Sequence, residues 1–423
     1  MKTKHIVRTA AVVAAVLIAR ITISACVAAD EAPIDFNRAQ TLFDRRKAGG
    51  TLSADEQAYL QKAMQMRQAG RQKKKGGTGG DANATPVSDP KIVATLVPLD
   101  ELKGTYKGED GGLYGGGRNE PPEAHMAAYR RESEQIRPLD ADGKPSEDGK
   151  IVLLSLGMSN TTMEYAEFVK TANADPKKSP KVVVVDGAIS GLTSTVWALD
   201  GAASLPASEK ERLGKVMQIT ARPANHANTW STVEKRLKDN GVSAKQVQAV
   251  WLKQAEASPA KLGAFPEHAR TFEENAIDMV MIAKERYPNL RVVYLSSRIF
   301  GGYATTQLNP EPYAYEEAFS MRWMIQKQIQ GDPRLNCDPT RGAVKAPLMV
   351  WGPYIWANGT TARKSDGLLW KEEDFVAKDH THPSQSARKK VADMLLKFFE
   401  TDPEARRWFL RTGEKAQAAA LPK

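Results

Sequence analysis

Three side chains in this sequence could together perform nucleophilic acyl transfer: Ser159, Asp379 and His382. A serine hydroxyl is a good nucleophile only when a neighbouring imidazole removes its proton. The imidazole in turn needs a carboxylate on its other nitrogen, which fixes the tautomer and stabilises the imidazolium. Asp379 and His382 lie three residues apart in "DHTHPSQSARKKVADMLLKFF", just before the last long helical pattern. Pro383 and Ser384 suit the start of that helix, but His382 has no such structural use.

Acyl transfer also needs hydrogen-bond donors aimed at the oxyanion of the tetrahedral intermediate. Three groups are candidates: the backbone N–H of Ser159, the backbone at Gly191 and the side-chain amide of Gln254. Each has a simpler structural alternative. Ser159 could merely cap a helix, Gly191 could serve a turn, and Gln254 could cap the helix that follows it.

Five short apolar runs rich in β-branched residues must position these side chains. They are "KIVLLSLG" (150–157), "KVVVVDG" (181–187), "VQAVWLK" (247–253), "LRVVYLSS" (290–297) and "APLMVWG" (346–352). The runs are almost continuously apolar, which is typical of strands buried on both faces. Helical patterns separate them, so the sequence predicts an α/β protein with a parallel sheet covered on both sides. The candidate polar residues follow the strands, at the edge where such folds bind ligands.

Four short blocks, spread from Gly157 to His382, resemble those of SGNH hydrolases, the GDSL esterase and lipase superfamily. "GMSN" is similar to the nucleophile block, "DGAISGLTS" to the second block, "WLKQAE" to the WxQGE block of sialate and xylan O-acetylesterases, and "DHTH" to the final DxxH block. The resemblance implies a flavodoxin-like α/β/α sandwich with a five-stranded sheet. It also implies Ser159 as nucleophile, Asp379 and His382 as acid and base, and Gly191 and Gln254 as oxyanion donors.

This sequence departs from the family pattern at two of these blocks. Met158 stands where the family has Asp or Gln, and "WLKQAE" has one residue more than WxQGE, with Ala255 in place of its glycine. The resemblance implies a serine esterase that removes O-acyl, especially O-acetyl, groups from carbohydrate. Two alternatives stay open: a lipase or thioesterase, and an SGNH-fold protein without turnover that binds glycans at the cell envelope.

Other side chains near the predicted strand ends could contact substrate. Arg298 and Tyr303 follow the fourth strand. Arg298 could bind a substrate carboxylate or could pair with an acidic side chain of the protein. The segment after the fifth strand is rich in aromatic rings, which could form the core or could stack on sugars. These aromatic residues are Trp351, Tyr354, Trp356 and Trp370.

The amino-terminal part of the sequence predicts a signal for export, followed by a helical segment that lies outside the main domain. Residues 1–29 combine a basic start with a short apolar run, as in a signal peptide, and Cys26 ends a stretch similar to a lipoprotein processing site. Residues 30–90 predict two polar helices and a Gly-rich linker. The hydrolase-like domain is predicted over 91–415, and the mature protein is expected to be periplasmic or secreted.

Charge and cysteine content argue against several other classes of protein. The formal net charge is +10, but part of it comes from "RQKKK" in the linker, and basic residues do not alternate with aromatic ones. Nucleic acid is therefore not a predicted partner. Neither the two cysteines nor the six histidines have zinc-site spacing. We expect no metal and no cofactor, and the sequence does not define an oligomeric state.

Overall fold

The protein was analysed as a computed structural model. The described residues are 42, 45, 52–64, 85–220 and 228–411. The predicted signal peptide, Cys26 and most of the predicted linker lie outside these residues, as does the predicted domain end at 415. The chain divides into two compact units, Met1–Gly79 and Gly80–Lys423.

In the first unit, the described residues are helical at 42 and 45 and over 54–64, and residues 52 and 53 precede the second helix. The helix over 54–64 begins with a capping box. The Glu56 amide donates to the Ser53 hydroxyl at 3.2 Å, and the Ser53 amide donates to the Glu56 carboxylate at 2.9 Å. Its apolar face lies in a small cluster made of Leu42, Leu52, Leu60 and Ala63.

The second unit begins with a two-stranded antiparallel ribbon, formed by β1 (Thr105–Tyr106) and β2 (Glu109–Asp110). Five parallel strands follow: β3 (Ile151–Gly157), β4 (Val182–Asp186), β5 (Val247–Lys253), β6 (Val292–Leu295) and β7 (Leu348–Trp351). Their order in the sheet is β4-β3-β5-β6-β7. The parallel order is that of flavodoxin-like sheets, so the predicted fold class is confirmed.

Helices cover both faces of the sheet and complete a three-layer α/β/α sandwich. The α-helices are α1 (Pro90–Thr95), α2 (Glu123–Glu134), α3 (Ser159–Ala174), α4 (Ser194–Asp200), α5 (Ala207–Thr220), α6 (Thr229–Asp239), α7 (Glu267–Arg286), α8 (Tyr313–Gln330), α9 (Gln385–Thr401) and α10 (Arg406–Phe409). The 3-10 helices are Ala202–Ser204, Ala244–Gln246, Pro259–Leu262, Pro333–Leu335, Pro339–Arg341 and Glu372–Asp374. Helix α3 packs against α9 on one face, and α7 packs against α4 and α8 on the other.

Strands β3 and β5 are the centre of the core, since every residue of both is buried. Their continuous apolar runs follow from this position, because a central parallel strand has no solvent-facing side. The two strands end level with each other, with Gly157 opposite Lys253. Strand β3 pairs with β4 on one side and with β5 on the other, so the order of the strands along the chain reverses direction at β3. A crevice is expected at such a switch point.

The domain begins earlier than the predicted residue 91. Ser88 is 4% exposed; its hydroxyl donates to the Gly301 carbonyl at 3.3 Å and accepts from the Glu311 amide at 3.0 Å. The Val87 amide also donates to the Ala304 carbonyl at 2.9 Å. These residues belong to the domain because their backbone and side chains satisfy buried polar groups of a later loop.

Among the described helices, none is both long enough and apolar enough to cross a membrane.

Candidate active site

Ser159, His382 and Asp379 lie in one hydrogen-bonded row. The Ser159 Oγ is 2.9 Å from His382 Nε2, and His382 Nδ1 is 2.6 Å from Asp379 Oδ2. The carboxylate accepts the Nδ1 proton, which leaves Nε2 free to accept the serine proton. The imidazole keeps 22% of its surface exposed, and Ser159 keeps 7%. The structure therefore brings the three sequence-predicted residues together in the geometry of a nucleophile, a base and an orienting acid.

Asp379 is held as a carboxylate by a local turn. Partial burial raises its pKa, but hydrogen bonds from the His382 ring and from the backbone amides of His382 and Thr381 outweigh this effect and bring the pKa to about 2. The two amides donate to Oδ1 at 3.0 Å each. Asp379 thus stays ionised over the whole range in which a serine hydrolase would work, and the turn itself presents the acid to the base.

His380, the other histidine of the "DHTH" turn, takes no part in this row. It is 6% exposed and has a φ of 45°, in the left-handed region. Its Nε2 lies 3.8 Å from the Glu372 carboxylate. A buried residue with strained backbone in this turn helps to fix the direction in which His382 points.

The nucleophile is placed by a close contact between strand and helix. Ser159 is the first residue of α3, where backbone N–H groups have no partner within the helix. Gly157 lies two residues before Ser159. A Cβ on Gly157 would lie 2.2 Å from the Lys253 carbonyl oxygen and 2.4 Å from the Thr161 hydroxyl. Only glycine allows this approach. The Thr161 hydroxyl donates to the same carbonyl at 2.5 Å, which ties the start of α3 to the end of β5.

Asn160, which directly follows Ser159, has a structural role that the sequence analysis did not predict. Its side-chain amide donates to the Thr381 carbonyl at 3.1 Å, and the residue is 1% exposed. This bond joins the nucleophile helix to the turn that carries Asp379 and His382. Its position directly after Ser159 is the signal that could have indicated it.

Gln254, one of the three predicted oxyanion donors, contacts the loop that carries Gly191. Gly191 has a φ of 83°, which glycine adopts without strain. The Gln254 amide donates to the carbonyl of Leu192, the next residue, at 3.2 Å, and its Oε1 accepts from the Ala255 amide at 2.9 Å. A primary amide has two N–H donors, so the bond to Leu192 uses one of them and leaves the other. The extra residue in "WLKQAE" has therefore not carried Gln254 away from the Gly191 turn.

A buried ion pair beneath these donors was not predicted. Lys253 Nζ lies 2.7 and 2.6 Å from the two carboxylate oxygens of Glu164, and both side chains are essentially unexposed. Burial raises the pKa of Glu164 and lowers that of Lys253 to about 8. The pair joins α3, which begins with Ser159, to the last residue of β5, which directly precedes Gln254. The signal available in the sequence was a lysine at the end of a continuously apolar strand, which requires a buried partner.

The interpretation in which the aromatic residues after the fifth strand stack on sugars is wrong. Trp356 has no exposed surface, its Nε1 donates to the Glu311 carboxylate at 2.8 Å, and its ring packs against Phe300 and Tyr315. The other three aromatic residues are also core residues: Trp351, Tyr354 and Trp370. All four rings belong to the hydrophobic core and are not available to stack on a sugar.

Tyr303 and Arg298, the other predicted substrate contacts, differ in their surroundings. The Tyr303 hydroxyl lies 3.0 Å from the Gly359 carbonyl and 3.3 Å from the Trp370 carbonyl, so it holds loops together. Arg298 is buried near the carboxyl edge of β6, and its guanidinium makes no hydrogen bond and no ion pair within 4.0 Å with the described residues. A direct ion pair with an acidic side chain is therefore not found among these residues, although Arg298 attracts Glu164 and Glu317 electrostatically.

No cluster of metal-ligating side chains is found within the described ranges. A cavity of about 530 Å³ lies at the opposite, amino-terminal edge of the sheet, beside Leu290 and Leu348, and shares no residue with the site.

No model of a known protein family matches the chain, and no curated protein matches it either. The likeness of four blocks to SGNH hydrolases therefore stays a prediction.

Asp186 ends β4 at the root of the Gly191 loop, and it gives a testable pH effect. Burial raises its pKa to about 6, although a hydrogen bond from the Ser155 hydroxyl, at 2.7 Å, opposes this. A raised folded-state pKa stabilises the protein below the unfolded pKa of 3.8, and this stabilisation is lost as the pH rises through 6.

Asp186→Asn keeps an oxygen acceptor for Ser155 and cannot ionise. Its stability relative to wild type should increase between pH 4 and pH 7, by up to about 3 kcal/mol. Urea unfolding of both proteins at several pH values measures the difference. Parallel stability curves for the two proteins would show that Asp186 titrates normally.

Proposed function

We propose that the protein is a serine ester hydrolase of the SGNH type. The observation that carries this proposal is the continuous row from Ser159 Oγ through His382 to Asp379, with separations of 2.9 and 2.6 Å. A serine, a histidine and an aspartate seldom align by chance at one edge of a parallel sheet. The oxyanion donors beside them supply the second requirement of acyl transfer.

The reaction follows from these positions. The Ser159 Oγ attacks the ester carbonyl carbon while its proton passes to His382 Nε2, and the carbonyl oxygen becomes an oxyanion. The intermediate then collapses and breaks the bond to the alcohol, which leaves with the proton from His382. Water attacks the acyl-serine in the same way, gives a proton to His382, and releases the carboxylic acid and Ser159. Asp379 stabilises the imidazolium in both halves.

The oxyanion would be met by the backbone N–H groups of Ser159 and Gly191 and by the second N–H of Gln254. The first of these lies at the start of a sixteen-residue helix, whose dipole also favours negative charge there. The Gln254 donor is fixed before substrate arrives, because the same amide is already bonded to Leu192 and Ala255. Such fixed donors stabilise a developing charge without reorganisation.

The proposed substrates are O-acyl, chiefly O-acetyl, groups on carbohydrate outside the cytoplasm. Support comes from the glutamine donor, which resembles that of the acetylesterase branch, and from the signal-like residues 1–29. The two rival functions are a lipase or thioesterase and a glycan-binding protein without turnover. The intact hydrogen-bonded row favours turnover over binding alone.

Two measurements test this function. A fluorophosphonate probe should label wild-type protein at Ser159, identified by peptide mass, and should not label Ser159→Ala. p-Nitrophenyl acetate should be hydrolysed with a higher kcat/KM than p-nitrophenyl palmitate. Absence of both labelling and hydrolysis would favour the binding protein, and a preference for palmitate would favour the lipase.

A further inference from the structure

Arg298 is a buried cation without a partner. It is 3% exposed, yet its guanidinium makes no hydrogen bond and no ion pair within 4.0 Å among the described residues. Its Nε is sealed from solvent and unpaired. Burial of a charge without a partner is strongly unfavourable, so proteins seldom keep one that has no use.

The nearest acidic groups do not neutralise Arg298. Glu164 is already bonded through both oxygens to Lys253. Glu317 attracts Arg298 electrostatically, but it accepts its hydrogen bonds from Asn309 and from the Glu256 amide, and burial raises its pKa to about 8. Burial therefore favours the uncharged form of Glu317, which weakens its electrostatic attraction for Arg298.

The position of Arg298 connects this charge to the candidate active site. It follows the last residue of β6 by three positions, at the same edge of the sheet as Ser159. It lies within electrostatic range of Lys253, which directly precedes Gln254, and of Glu164 on the helix that begins with Ser159. The loop that Arg298 opens also touches the acid turn, where the Thr305 amide donates to the Asp379 carbonyl at 3.1 Å.

We propose that Arg298 binds a carboxylate of the substrate, so that the ester cleaved at Ser159 is carried by an acidic sugar. This inference rests on the proposed esterase function. A guanidinium presents parallel N–H donors that match the two oxygens of a carboxylate, whereas a neutral sugar hydroxyl would leave the charge uncompensated. The bound carboxylate is then the ion-pair partner that Arg298 lacks within the protein. It also orients the acyl group toward the serine.

The inference is tested with two substrates that differ only in the carboxylate: acetylated methyl galacturonoside and acetylated methyl galactoside. Wild-type protein should prefer the acidic ester in kcat/KM, mainly through a lower KM. Arg298→Met should reduce this preference by about 10- to 100-fold, the range expected for a hydrogen-bonded ion contact. Arg298→Lys should restore little of it, because an ammonium lacks the planar pair of donors.

Thermal unfolding separates binding from a structural role. Arg298→Met should leave the Tm unchanged or higher, because no protein partner is lost. Lys253→Met is the matched control: it removes a neighbouring buried cation that does have a partner, and its Tm should fall. A fall in Tm for Arg298→Met as large as that for Lys253→Met would show that Arg298 is structural and would overturn the inference.

Direct binding separates this inference from the esterase function. In calorimetry, galacturonate should bind wild-type protein more tightly than galactose does, and Arg298→Met should lose this difference. Hydrolysis of p-nitrophenyl acetate with no preference for the acidic ester would overturn the carboxylate subsite alone. Binding of galacturonate without any hydrolysis would overturn the esterase and leave the subsite supported. Inorganic sulfate bound as tightly as galacturonate would identify an unspecific anion site and contradict the inference.

Discussion

Ser159→Ala and His382→Ala should each lower kcat by about 10⁴- to 10⁶-fold, because the members of such a hydrogen-bonded unit fail together. Without the hydroxyl no acyl-serine forms, and without the imidazole the serine keeps its proton. Asp379→Asn should cost about 10⁴-fold, since the imidazole would then hold the wrong tautomer. Initial rates on p-nitrophenyl acetate measure all three variants against wild type.

His380→Asn is the matched control for the acid turn. Asparagine tolerates the left-handed backbone that His380 adopts, so this variant should fold and keep activity within a few-fold of wild type. The double variant Ser159→Ala with His382→Ala should be no slower than either single variant. Wild-type activity in His382→Ala, or losses that multiply in the double variant, would show that the row does not act as a unit.

Gln254→Met should lower kcat by about 10²- to 10³-fold with little change in KM, the cost of one lost oxyanion donor. Methionine keeps the length and volume of the side chain and removes both N–H groups, so the change reports the donor. KM should stay nearly constant because the contact strengthens only in the transition state. Gln254→Asn should recover little, since its amide is one methylene short of the same position.

Gln248→Met controls for the loss of a buried glutamine, since Gln248 lies in the strand that directly precedes Gln254. Gln248 is 1% exposed at the other end of β5, where it bonds to the backbone of Arg137. Its replacement should lower stability in urea unfolding but leave kcat near that of wild type. A rise in KM alone for Gln254→Met would instead place Gln254 in contact with substrate, and no effect would assign the third donor to another group.

The sequence alone determined the sheet and the residues at its carboxyl edge. Five continuous apolar runs, separated by helical patterns, were enough to predict a parallel sheet with two covered faces. A strand that is buried on both faces needs apolar side chains on both, and the helices between the strands supply the cover. Ser159, Asp379 and His382 could be named because each follows a predicted strand or precedes a helix. Asp379 and His382 are also neighbours in sequence, so their contact is local.

Only the tertiary structure decided which side chains are paired, buried or free, since these properties depend on residues far apart in the chain. The sequence left Trp356 ambiguous between core and surface, and its contacts with Glu311, Phe300 and Tyr315 place it in the core. Ser88 joined the domain through Gly301 and Glu311, more than two hundred residues away. Arg298 could not be known to lack a partner, because the acidic side chains near it come from α3 and α8, where Lys253 and Asn309 already engage them.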